Sequence, residues 1–166
     1  MLDHGAGADG WWKGASARRL RGEMEPWRLC VLLAMCPGVL AAQGNRTIAV
    51  GDTVRDSLTR RDARLPAEST YAQQWRLAGR AGQTVTIDVA AAAFDAYAFL
   101  LGPGFEGAAP QDDDSGGHCN ARLSVRLPRT GDYFIVVTSS ERFATGAFTL
   151  SVVAGSRPRS LAPCDR

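Results

Sequence analysis

The sequence predicts an all-β protein, an antiparallel β-sandwich of seven or eight short strands behind an N-terminal export signal. Three observations carry that prediction. Apolar residues recur with period two in a series of short segments, turn-forming residues separate the segments, and nothing beyond residue 42 recurs convincingly at helical spacing. Such a pattern belongs to two sheets packed face to face. The chain has 166 residues, room for one ordinary domain and an appendage, and 45% of it is apolar, enough for a packed core.

The first element is the signal. Residues 29–42 read LCVLLAMCPGVLAA, a 14-residue apolar stretch broken at Pro37-Gly38. A bilayer span needs about 20 residues, so this is an h-region, with Arg28 before it and small residues after it. Residues 24–42 make a signal peptide of normal proportions, with cleavage near Ala42 or Gln43. Residues 1–23 are then either an early-called start or a long n-region. The protein is expected to be exported, to the periplasm or beyond.

The domain follows over residues 43–154. Residues 47–50 and 53–58 form one or two weaker strands. Tyr71, Gln73, Trp75 and Leu77 share a face, and Val85, Ile87 and Val89 alternate with Thr84, Thr86 and Asp88. Leu123, Val125 and Leu127 repeat the pattern, as do Tyr133, Ile135 and Val137, and then Phe148, Leu150 and Val152. Residues 95–101 (DAYAFLL) are apolar on both faces, as a doubly covered strand is. Turns fall at Gly51-Asp52, residues 79–82, 102–104 and 128–132, and Thr145-Gly146. Two long connections, residues 59–69 and 104–120, are the places to look for function.

The order of these phrases resembles the bacterial pre-peptidase C-terminal domain family. The phrases are GDTVRDSL (51–58), YAQQWRLAGRAGQTVTIDV (71–89), FDAYAFLLGPG (94–104), DDDSGG followed by NARLSVRLPRTGDYFIVVTS (112–139), and GAFTLSV (146–152). The most specific is L-P-x-T-G-x-Y-x-I-x-V, made by Leu127, Pro128, Thr130, Gly131, Tyr133, Ile135 and Val137. The resemblance implies a jelly-roll-like sandwich of the kind appended to secreted peptidases and other exported proteins. No peptidase precedes it in this sequence, so the module is read as standing by itself.

Charge and residue usage narrow the chemistry. With 19 basic and 17 acidic residues, the chain has no global field to draw it to nucleic acid. Beyond residue 42 there is no lysine, and His118 is the only histidine. It sits in an acidic loop away from any nucleophile elbow, so no catalytic residue is assigned. Cys119 and Cys164 remain once the signal is removed, and an even pair in an oxidising compartment reads as one disulfide rather than two free thiols. It would pin the tail, residues 155–166, to the body, contributing about 4 kcal/mol in the chain-entropy model.

The acidic run Asp112-Asp113-Asp114 has two readings. Hard oxygen donors on a Gly-rich turn suit Ca²⁺, with Asp95 and the amide oxygen of Asn120 completing the set. The alternative is a solvated loop whose Asp and Ser side chains cap turns. For polymer contact the candidates are Phe105 and Phe143 on loops, whereas Trp75 and Tyr97 are expected in the core. The function expected is a non-catalytic binding module for a polysaccharide or protein surface. The alternatives are a structural or export-assisting accessory fold and a small secreted hydrolase.

Overall fold

A computed structural model describes residues 46–165 and shows nine strands, with no α-helix among the described residues. The expected signal peptide over residues 24–42, residues 1–23 and the expected cleavage site lie outside the described residues. The strands are β1 (Thr53–Leu58), β2 (Ala63–Leu65), β3 (Thr70–Gly79), β4 (Thr84–Ala91), β5 (Ala96–Leu101), β6 (Gln111–Asp112), β7 (Ala121–Arg126), β8 (Gly131–Ser139) and β9 (Gly146–Ala154). They pair in two antiparallel sheets, one in the order β1-β9-β4-β7 and the other β2-β3-β8-β5-β6.

The core lies where the alternation places it. Val85, Ile87 and Val89 of β4 and Leu150 and Val152 of β9 face Leu77, Leu100, Ile135 and Val137 of the other sheet, all buried. Trp75 joins them, and the buried Gln73 amide donates to the Ser57 carbonyl at 2.9 Å, tying β3 to β1. β5 is apolar on both faces because both are covered. Ala96, Ala98 and Leu100 point between the sheets, whereas Phe99 and Leu101 pack with Ala72, Val136 and Ala109 in a second, smaller cluster.

Two expectations change. Residues 47–50 form no strand; Thr47 makes a single parallel bridge to Arg76, and Ile48 is drawn into the core. The two long connections carry short edge strands, β2 and β6, which raise the count to nine. Each borrows hydrogen bonds from a longer neighbour, β3 or β5, and that long-range support is invisible in local patterning.

At one end of the sandwich the L-P-x-T-G-x-Y phrase is anchored by the buried Tyr133. Its hydroxyl bridges the Arg129 carbonyl at 2.6 Å and the Pro103 carbonyl at 3.1 Å, and accepts from the Arg129 N–H at 3.2 Å. The Gly102 Cα packs so tightly on the Tyr133 ring that a Cβ there would overlap it, and Phe105 lies edge-on to the same ring at 5.9 Å.

Candidate functional site

Strand register gathers the remaining loops at the opposite end. Leu58 pairs with Gly146, Ala91 with Phe148, Val89 with Ala121 and Ala96 with Ser139. Residues 59–69, 92–95, 113–120 and 140–145 therefore emerge together. Backbone bonds join them: Ala96 N–H to the Cys119 carbonyl at 3.0 Å, Ser140 N–H to Asp95 at 3.1 Å, and Phe143 N–H to Ser69 at 2.9 Å.

Of the acidic residues, Asp112 is largely enclosed, its side chain 11% exposed. Oδ2 accepts from the Ser115 N–H at 2.8 Å and the Arg122 N–H at 2.9 Å, and Oδ1 accepts from the Ser115 hydroxyl. Arg159 lies 3.7 Å from Oδ1. Asn120 is equally engaged: Oδ1 accepts from the Ala91 N–H at 2.9 Å, and Nδ2 donates to the Gly117 carbonyl at 2.7 Å. These two residues tie the acidic turn to β7 and to the end of β4. Asp113 and Asp114 are exposed. The fold brings Asp95 and Asp114 to the Cys119–Cys164 pair, with one ligand-type atom from each of the four residues within 4.8 Å of the others. The sulfurs are joined to each other as a disulfide, so the carboxylates are the oxygen donors at that spot.

The disulfide closes a strap. After β9 the tail crosses the outer face of the four-stranded sheet, where the Arg157 N–H meets Thr86 Oγ1 at 3.0 Å and Ser124 Oγ at 3.1 Å. Arg122 and Arg157 share the Asp88 carboxylate, which is 17% exposed. Further on, Ser160 N–H donates to the Ser115 carbonyl at 2.8 Å, and Arg159 Nε donates to the Ser115 hydroxyl at 2.6 Å. Sequence reasoning anticipated the bridge and a tail pinned by it, but not the path of that strap, whose partners are polar residues scattered over β4 and β7.

The strap fixes an unusual turn. Gly117, His118 and Cys119 have φ of 80°, 54° and 61°, three left-handed residues in succession, and two of them carry a Cβ. Each such non-glycine residue costs of order 1–3 kcal/mol, which the surrounding contacts must offset. The turn leaves the His118 side chain exposed, and no described side chain hydrogen-bonds to it. Beside it an open groove of about 680 Å³ runs over the outer face of the sheet, with Arg55, Ala90, Thr149 and His118 in its lining.

The two loop aromatics separate. Phe105 sits at the far end, partly buried against Tyr133. Phe143 lies at the loop end, 50% exposed at φ 56°, with the Arg64 guanidinium 5.1 Å from its ring centre and Tyr71 at 6.3 Å. Trp75 is core, and Tyr97 lies in the smaller cluster with its hydroxyl donating to Gln111 at 2.7 Å.

Among the described residues no helix is long and apolar enough to cross a membrane. No family model and no curated protein matches the sequence. Solved structures do match. The periplasmic g-type lysozyme inhibitor PliG of Aeromonas hydrophila aligns with a TM-score of 0.45 and 19% identity, over 68% of this chain and 100% of that one. PliG of Salmonella Typhimurium aligns with a TM-score of 0.43 and 15% identity, over the same shares of 68% and 100%. The pre-peptidase C-terminal domain of a Bacillus anthracis collagenase aligns with a TM-score of 0.52 and 13% identity, over 66% of this chain and 95% of that one. The fold of this chain is therefore the β-sandwich fold seen in the pre-peptidase C-terminal domain of that collagenase.

Proposed function

We propose that the protein is an exported, non-catalytic β-sandwich module that binds a polysaccharide or protein surface through the loop-bearing end of the sandwich. One observation carries this reading. Phe143 is held half exposed at a left-handed backbone position, with Arg64 over its ring and its N–H fixed to Ser69. A large ring kept out of the core by the backbone is a preformed contact, and preformed contacts lose little entropy on binding. The disulfide supports an oxidising compartment. His118, the one histidine beyond residue 42, has neither a hydroxyl nor a thiol hydrogen-bonded to it among the described residues, which supports binding over hydrolysis.

Co-sedimentation of the protein with insoluble polysaccharides and with a collagen-like protein tests this. Retention by one of them, reduced several-fold by Phe143→Ala at unchanged melting temperature, is the expected result. Absence of retention on every polymer would favour the structural accessory reading, and turnover in a hydrolase screen would overturn the non-catalytic one.

A further inference from the structure

The outer face of the four-stranded sheet is divided. Over β4 and β7 it is covered by the strap, and Arg122 and Arg157 are neutralised by Asp88. Toward β1 it is open. There Arg55 pairs across the sheet with Thr149, and Thr149 with Ala90, so one row runs over β1, β9 and β4. Ala147 and Ala92 lie beside that row. Exposed positions on a sheet usually carry long polar side chains. Methyl groups leave the floor low and flat, and the groove over it has about 680 Å³.

Its two sides carry nitrogen donors. Arg55 is exposed and has no ion pair among the described residues. His118 stands on the other side, its turn locked by the Cys119–Cys164 disulfide and by Asn120 bonded to the Ala91 N–H. The backbone that presents His118 is therefore set before any ligand arrives. An added peptide strand would pair along the outer edge of β1 and not lie across the groove floor, because β9 and β4 are each paired on both edges.

We propose that this groove is a subsite for a carboxylate-bearing polysaccharide, a chain of uronic acid residues. This rests on the polymer-binding reading above and names its ligand class. The methyl floor of Ala90, Ala92 and Ala147 receives the apolar face of a sugar ring. From opposite sides, Arg55 and His118 donate to carboxylates of the chain, and the Thr149 hydroxyl meets a sugar hydroxyl. Guanidinium–carboxylate hydrogen bonds are both directional and charge-assisted, so they select the uronate over its neutral counterpart.

The test is binding of the intact oxidised protein to fluorescently labelled polygalacturonate, with fully methyl-esterified polymer and poly-glutamate as comparisons. Arg55→Gln is expected to weaken polygalacturonate binding roughly tenfold or more, and His118→Gln by a smaller factor, with melting temperatures unchanged. Arg80→Gln removes the same charge from the β3–β4 turn at the other end, and binding should not change. Equal losses in Arg55→Gln and Arg80→Gln would show attraction by net charge alone and overturn the proposal. So would poly-glutamate or the methyl ester binding as tightly as polygalacturonate. If polygalacturonate fails while another polymer is retained through Phe143, the groove assignment falls and the polymer-binding reading stands. If no polymer is retained, both fall.

Discussion

Tyr133, Asp112 and Glu106 show how single side chains hold the loops. The Tyr133 hydroxyl satisfies backbone groups at Arg129 and Pro103 inside the protein. Removing it by Tyr133→Phe leaves those groups short of partners, and urea denaturation should show a loss of about 1–2 kcal/mol. Asp112→Asn takes an ionised acceptor from the Ser115 and Arg122 N–H groups. A similar loss of about 1–2 kcal/mol is expected in calcium-free buffer, where a purely metal-binding carboxylate would show none. Glu106 differs in being exposed. The Gly104 N–H, then its own backbone and Arg129, hold its carboxyl below the usual carboxylate range. A depressed folded pKa gives a contribution that is present above the ordinary glutamate value and is lost as pH falls through the lowered one. An NMR titration of Glu106 in the native protein checks the direction, and Arg129→Gln should move the midpoint upward.

At the scale of elements, the strap and its turn behave as one unit. Cys119→Ser with Cys164→Ser opens a loop whose ends are 45 residues apart in sequence. A loss of about 2–4 kcal/mol is expected by the chain-entropy argument, read by chemical denaturation. Limited proteolysis of the same variant should cut first within residues 156–165, because there the backbone bonds go mainly to scattered side chains and turn carbonyls, not to a strand. Gly117→Ala tests the turn from within. Its φ is 80°, and an added methyl would overlap Ser160 of the strap. The variant should lose strap protection in hydrogen exchange while β3 and β8, at the centre of the other sheet, keep theirs.

For the molecule as a whole, the loop end and the far end are built differently. The far end is closed by Tyr133 and Phe105, while the loop end carries Phe143, His118 and the acidic turn. A melt in EDTA and then in millimolar Ca²⁺ addresses that turn directly. With Asp112 and Asn120 engaged in hydrogen bonds, we expect the same midpoint in both. A rise of several degrees would show that Asp95, Asp113 and Asp114 collect an ion in the native state, since a ligand stabilises only the state it prefers.

The sequence by itself determined the seven longer strands, their core faces and the disulfide. Alternation in Val85–Ile87–Val89 or Tyr133–Ile135–Val137 is a local property, because a pleated strand sends successive side chains to opposite faces whatever its partner. A pair of cysteines in a chain expected to be exported has few other uses. The tertiary structure alone decided which strands are neighbours, and with that the site. The row Arg55–Thr149–Ala90 joins residues from three strands distant in sequence. Phe105 and Phe143 look alike in sequence, yet only the fold sends one against Tyr133 and the other into solvent. Asp112 reads in the sequence either as a metal ligand or as a turn cap, and only the fold brings the Arg122 N–H, ten residues away, to its carboxylate. Local pattern fixes which way a side chain points; long-range pairing fixes what it meets.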